Sequence, residues 1–227
     1  MKCLFFSREN EWSNFLYDNL TKNIREVDWT RCVNKKDYHK FDTDKPDWAF
    51  FFHWNYIVPK EIFEKSKCVV LHTSNLPRHR GGSPLQNQII EGVRISQVNA
   101  LKMVDKVDAG PIYSSSKVSL HGSLRDIWMS IANVSEKLIQ DCIDYHTQHD
   151  TPTPQTGLSH ACLRRKTTEI PIEKVTNTEE FYDYIRMLDA EGYDKSFINL
   201  GNFRLEFSRA SIKEGKTLIA DVSITER

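Results

Sequence analysis

Short apolar runs alternate with amphipathic stretches over the first two thirds of the chain, the pattern of an α/β domain built on a mostly parallel sheet. Residues 2–6 predict a first strand, and the spacing of Trp12, Phe15, Leu16 and Leu20 predicts a helix over 11–23. Asp47 to His53 and Cys68 to His72 are apolar runs short enough to be strands buried on both faces. Between them, Pro59 to Glu64 predicts a short helix with proline in its first turn. Ser83-Pro84-Leu85-Gln86 carries the features of a helix start with a capping box, and Gly92 would end that helix. Ile95 to Val104 and Pro111 to Leu120 predict two further strands. Ser123 and Asp126 then cap a long helix whose core stripe is Leu124, Ile127, Trp128, Ile131, Val134, Leu138 and Cys142. Between His146 and Gly157 the composition shifts to Thr, Pro, Gln and Asp, which predicts a linker. Beyond it, Phe181, Tyr184, Ile185 and Leu188 mark one more helix. Phe197–Leu200 and Phe203–Phe207, joined by Gly201-Asn202, read as a hairpin. The expected organisation is a catalytic α/β domain over 1–150 and a small, mainly β subdomain over 155–227.

At 227 residues the chain fits one sizeable core with a small appendage. Its 31 Lys+Arg balance 31 Asp+Glu, so no global attraction to nucleic acid or to an anionic membrane is expected. Mean hydropathy is −0.53 and the run Trp48–Phe52 falls far short of the ~18 residues of a membrane span. The first residues turn polar too soon for a signal peptide, so a cytoplasmic protein is expected. The nine glycines are spaced so that neither G-x-G-x-x-G nor the P-loop pattern can be written, which excludes dinucleotide and P-loop readings. Five cysteines without a C-x-x-C predict isolated reduced thiols, and His146 and His149 lack a third ligand, so no metal is expected. The apolar β tail would offer a homodimer interface.

The densest unusual segment is Leu71-His72-Thr73-Ser74-Asn75-Leu76-Pro77-Arg78-His79-Arg80-Gly81-Gly82-Ser83-Pro84. Ligands of open α/β sheets sit beyond the carboxyl ends of strands, which is where His72 falls. An imidazole with an ordinary pKa near ~6.5 exchanges protons at neutral pH. Arg78 and Arg80 beside the helix start at Ser83 are a candidate anion site, although surface arginines are most often solvated charge. The second cluster is the turn Met103-Val104-Asp105-Lys106-Val107-Asp108-Ala109-Gly110-Pro111. Asp108 alone would be ordinary turn chemistry, whereas paired with His72 it would hold the imidazole in one tautomer and raise its basicity. Arg164-Arg165-Lys166 could bind phosphate but reads first as a solvated face.

Taken in order, these clusters resemble the N10-formyltetrahydrofolate-dependent formyltransferases. His72, Ser74, Leu76, Pro77, Arg80, Gly81 and Pro84 match the family's first motif, and Asp108 with Gly110 its second. Phe52-His53-Trp54-Asn55-Tyr56-Ile57-Val58-Pro59-Lys60 looks like the folate-binding loop. The variant Arg-Gly-Gly-Ser-Pro, with Arg164-Arg165 and Tyr182 to Tyr193 downstream, looks closest to the nucleotide-sugar branch of the pseudaminic-acid type. The resemblance implies a Rossmann-like formyltransferase fold and N10-formyltetrahydrofolate as co-substrate. The acceptor it implies is a nucleotide-linked 4-amino-4,6-dideoxy sugar used in surface glycan synthesis. The alternatives are another amine, such as an aminoacyl-tRNA or amino acid, and a non-catalytic binding relative. His72 would be the general base or stabilise the tetrahedral intermediate, with Asp108 orienting it. Tyr56, Ile57 and Val58, with Val104, Asp105, Lys106, Val107 and Asp108, would hold the pterin. Ser74, Arg78, Arg80, Gly81, Gly82 and Ser83 would face the substrate. The family's asparagine two residues before the histidine is Val70 here, so its oxyanion-binding role falls to Asn75, Ser74 or Asn55, or the activity is altered.

Overall fold

The protein, described from a computed structural model, is followed over residues 1–148, 151–162, 164–214 and 217–227. His149 and the side chain of His146, the two histidines expected to bind no metal, lie outside the described residues.

The first strand, β1 (Lys2–Ser7), is apolar on both faces. Cys3 and Phe5 point to one side and Leu4 and Phe6 to the other, and each side is covered by its own core. The first core takes Trp12, Leu16 and Leu20 of helix α1 (Glu11–Asn23), which starts where the Asn10 side chain accepts a hydrogen bond from the Ser13 amide at 2.9 Å. The chain returns through β2 (Asp28–Cys32) and a short helix α2 (Lys40–Thr43), then enters β3 (Trp48–Phe52), fully buried along its length. Helix α3 (Lys60–Phe63) follows, with Pro59 as its cap, then β4 (Lys67–Thr73), the two-residue β5 (Arg80–Gly81) and α4 (Pro84–Ile90). Two antiparallel strands, β6 (Ile95–Lys102) and β7 (Ile112–Ser119), complete the sheet before the long helix α5 (Leu124–Gln148). Ser123 and Asp126 bond each other's backbone amides at its start, as the sequence predicts.

Strand order is β2-β1-β3-β4-β6-β7, and β6 alone runs against the other strands, so the sheet is mostly parallel with helices on both faces. The chain leaves β1 toward β2 on one side and β3 toward β4 on the other, so the carboxyl ends of β1 and β3 flank a topological switch point. Edge strand β2 was not expected, because Asp28-Trp29-Thr30-Arg31-Cys32 is mostly polar and half-buried, with no apolar run to announce it.

The remainder holds β8 (Ala161–Cys162), helix α6 (Thr178–Arg186) and an antiparallel sheet of β9 (Ser196–Leu200), β10 (Phe203–Lys213) and β11 (Thr217–Glu226). The hairpin is β9–β10, and β11 adds a third strand that the sequence reading did not include. Helix α6 is locked to the larger sheet by a buried ion pair. Asp183 bonds Arg186 at 2.6 Å and Arg94 at 2.9 Å, and Arg186 also donates to the carbonyl of Gly122 at 3.0 Å.

Two local expectations are corrected. Ser83 does not cap α4: its backbone is left-handed at φ 49°, and its hydroxyl accepts a hydrogen bond from the Arg165 amide at 3.3 Å. Nor is the stretch before Gly157 a free linker. The long helix runs past His146 to Gln148, Thr153 pairs with Ile112 against β7, and Gln155 reaches the turn that carries Asp108. Among the described residues, no helix is long and apolar enough to cross a membrane.

Candidate active site

Sheet register places the site. Ser7 pairs with Phe52 and Phe52 with Leu71, so the next residue of each strand forms a row across the sheet end: Arg8, His53 and His72. All three line one cavity of about 750 Å³.

His72 is buried, and its tautomer follows from its partners. Nε2 lies 2.9 Å from the carbonyl oxygen of His79, which can only accept, so Nε2 carries the hydrogen. Nδ1 is left with its lone pair, 3.3 Å from Oδ2 of Asp108. A lone pair and a carboxylate oxygen at that distance repel unless a proton lies between them. The pair is therefore built to receive one proton. Asp108 is held from two sides. Its Oδ2 accepts from the Gly81 amide at 2.9 Å, and its left-handed backbone (φ 51°) is pinned by Gln155, whose Nε2 donates to the carbonyls of Asp108 at 2.9 Å and Gly110 at 2.8 Å. Only glycine fits at 110, since a Cβ there would meet the Lys102 carbonyl oxygen at 1.7 Å.

The other predicted residues divide. Tyr56, Ile57 and Val58 line the cavity on one side, and Val104, Asp105, Lys106, Val107 and Asp108 on another, with Gly81, Gly82 and Ser83 at the head of α4. Tyr56, Ile57 and Val107 are exposed, which leaves apolar surface free beside the pair. Arg78 and Asn75 are exposed and do not line the cavity. Ser74 is buried behind the strand, outside the cavity, and its hydroxyl has no partner. Arg80 does not line the cavity either: its Nε donates to Oε1 of Gln155 at 3.0 Å, so it braces the Asp108 turn. Of the three donors considered in place of the missing asparagine, Asn55 alone lines the cavity, together with Val70.

Lining residues to which sequence reasoning gave no site role include Arg8 and Trp128, while His53 and Tyr193 were noted only within the segments 52–60 and 182–193. His53, just past β3, has a left-handed backbone at φ 49°. Its Nδ1 lies 3.2 Å from Trp12 Nε1 and 3.2 Å from Asn10 Nδ2, both donors, so Nδ1 accepts and Nε2 carries the hydrogen. Nε2 then donates to the Tyr193 hydroxyl at 3.0 Å, and Trp128 Nε1 donates to the same oxygen at 3.1 Å. Burial, helped by the charge of Arg8, pushes the His53 pKa down to about 3, so this imidazole stays neutral. Burial raises the Tyr193 phenol, opposed by the Trp128 hydrogen bond and by Arg8. Arg164 and Arg165, expected as a solvated face, also line the cavity, because β8 pairs with β5 and carries them there. That approach needs Gly82, where a Cβ would fall 2.8 Å from Arg164 Cβ.

All five cysteines are free and buried, and burial pushes the thiols of Cys3, Cys32 and Cys68 up to about 12. Among the described residues, no group of three His, Cys, Asp or Glu side chains is placed to hold a metal.

Fold and site together define an α/β protein whose strand-end imidazole–carboxylate pair can take a proton from a ligand in a deep cavity. The formyl transferase family pattern matches residues 4–139, and that of the methionyl-tRNA formyltransferase C-terminal domain matches residues 167–225. The chain belongs to the formyl transferase family. It is 35% identical over 95 residues to a methionyl-tRNA formyltransferase of Campylobacter lari, a match covering 41% of this chain and 31% of that protein. The matched part is thus less than half the length of that relative. A solved methionyl-tRNA formyltransferase from Clostridium thermocellum superposes with a TM-score of 0.89 at 35% identity, covering 100% of both chains. HypX from Aquifex aeolicus in complex with tetrahydrofolic acid shares the fold, with a TM-score of 0.79 at 20% identity over 95% of this chain and 38% of that one. Sugar N-formyltransferases match in fold at 12–17% identity. In sequence the similar proteins are mostly methionyl-tRNA formyltransferases, so the expected likeness to the sugar branch is one of fold.

Proposed function

We propose that this chain transfers the formyl group of N10-formyltetrahydrofolate to a primary amine. The observation that carries the reading is the His72–Asp108 pair, with one ring nitrogen committed to a carbonyl and the other left to take a proton. The residues fit a folate: the exposed apolar side chains Tyr56, Ile57 and Val107 border the cavity beside the pair, with backbone groups of 54–58 and 103–108 between them. When bound, the folate supplies an already activated formyl group, so the protein's work is positioning and proton transfer.

In this reading the incoming amine nitrogen bonds to the formyl carbon, and the bond from that carbon to N10 breaks. The proton lost by the amine goes to Nδ1 of His72, where Asp108 stabilises the resulting imidazolium. It then passes to the departing nitrogen. Gln155 and Arg80 keep Asp108 at the distance this transfer requires.

The names of the similar proteins favour the amine of an aminoacyl-tRNA as acceptor. A second reading, the amine of a nucleotide-linked 4-amino-4,6-dideoxy sugar, is favoured by charge. Residues 161–227 hold 11 Lys/Arg against 12 Asp/Glu, which is a poor electrostatic platform for a tRNA backbone. The test is formyl transfer by the purified chain from N10-formyltetrahydrofolate to methionyl-tRNA and to UDP-, dTDP- and GDP-linked 4-amino sugars. Turnover with one class identifies the acceptor, and turnover with neither overturns the reading.

A further inference from the structure

The end of the cavity farthest along the row from His72 has a chemistry that formyl transfer as described does not use. Arg8 follows β1 and Arg164 follows β8, and among the described residues neither guanidinium has a carboxylate partner. Arg165 lies on the same wall, with a buried Nε that has no hydrogen-bond partner. Tyr193 stands among them. Its oxygen receives two hydrogen bonds, from His53 Nε2 and Trp128 Nε1, which occupy both lone pairs. The phenol proton is therefore turned toward Gln86, whose side chain lies within hydrogen-bond reach of the hydroxyl, and a ligand bound in the cavity would compete with Gln86 for it. Among the described residues, none of the carboxylates lining the cavity forms an ion pair with Arg8 or Arg164. Asp105 pairs with Lys60 and Asp108 with His72, while Asp194 is exposed.

A hydrogen-bond donor with a fixed direction, beside unpaired guanidiniums at the switch point of the sheet, suits an oxyanion with several acceptor atoms. We propose that Tyr193, Arg8 and Arg164 form an anion subsite for a phosphate group of the acceptor, with His53 as the positioning residue that orients the Tyr193 hydroxyl. This rests on the formyl-transfer reading only for the identity of the ligand that carries the phosphate. The shared chemistry is a nucleotide phosphate, which either a nucleotide-linked sugar or the terminal nucleotide of a tRNA supplies. It also relocates the expected anion site, since both Arg78 and Arg80 lie outside the cavity lining.

The first measurement needs no acceptor. Calorimetric titration of the whole chain with inorganic pyrophosphate should show saturable binding, weakened about 10-fold in Arg8→Gln and in Arg164→Gln. Tetrahydrofolate should bind these variants as it binds the parent. Absence of pyrophosphate binding, or binding indifferent to both substitutions, overturns the subsite whatever the reaction proves to be. The second measurement uses formyl transfer with saturating N10-formyltetrahydrofolate. Tyr193→Phe and His53→Leu should each raise the acceptor KM about 10-fold, with the loss carried by KM rather than kcat. The double variant should be no worse than either alone, and His53→Gln, which restores an amide donor, should recover part of the loss. The acceptor class whose KM moves names the source of the phosphate. A change in folate affinity with acceptor KM constant would assign these cations to the folate instead and overturn the proposal.

Discussion

His72 and His53 stand one strand apart in the same register row, and both have one ring nitrogen committed as donor to a protein oxygen. They differ in what meets the other nitrogen. His72 faces the Asp108 carboxylate, so its free nitrogen can take a proton and keep it beside a negative charge. His53 faces the indole N–H of Trp12 and the amide of Asn10, both donors, with the tilted Trp128 indole 4.3 Å away. A proton on that nitrogen would meet only donors and the charge of Arg8, so the ring stays neutral. Neighbouring positions at the end of one sheet thus yield a proton acceptor and a fixed hydrogen-bond donor. The partners decide which is which, not the residue type.

Breaking the first half of this comparison should have the largest effect. Asp108→Asn replaces the charge by an amide and should lower formyl transfer about 10²–10⁴-fold, measured by product formation, with tetrahydrofolate binding retained. Next comes the frame that brings Tyr193 to His53. Asp183→Ala leaves Arg186 buried without its charge partner and should cost about 3–5 kcal/mol in urea unfolding, which reads whether helix α6 is anchored as described. Gln155→Ala frees the Asp108 turn without touching either imidazole. It should lower kcat about 10-fold to 100-fold, and an unchanged kcat would show that the turn holds itself. A pH-dependent effect on stability, with no change expected in the His72–Asp108 pair, sharpens the second half. The folded His53 pKa lies near 3 against an ordinary 6.5, so between those pH values the unfolded chain binds a proton that the folded chain refuses. Stability from this group is intact above pH ~6.5 and falls as pH drops through that window, by about 1.4 kcal/mol per pH unit. Denaturation midpoints of His53→Gln should show a correspondingly shallower dependence between pH 6 and 4.

Much of this was legible in the sequence where one local signal sufficed. Helix 11–23 follows from the spacing of Trp12, Leu16 and Leu20, and His72 from its place at the end of an apolar run. The same strand-end rule applied to β1 and β3 would have found Arg8, which sits in no motif-like cluster, and would have given His53 a role of its own within the run Phe52–Lys60. Gln155 carried no such signal, and Tyr193 entered only as the end of a segment that resembles one branch of the family. Gln155 lies in a Thr- and Pro-rich stretch whose composition reads as linker, and its role comes from three contacts with residues more than forty positions away. The capping box at Ser83 failed for a related reason: Arg165, 82 residues downstream, holds the hydroxyl that local pattern assigns to the helix. Arg80 and Arg164 exchanged expected roles because the pairing of β5 with β8 is two residues long and leaves no periodicity to read.

Formyl transfer as proposed depends on His72 as the group that takes the proton. The most direct measurement is single-turnover transfer from N10-formyltetrahydrofolate by His72→Asn, compared with the parent chain at saturating acceptor. The substitution keeps a side chain of polar character in β4 but removes the basic nitrogen facing Asp108. A rate lowered about 10²–10⁴-fold, with folate still bound, is the predicted result. A rate within a few-fold of the parent would contradict it and move the proton acceptor elsewhere in the cavity.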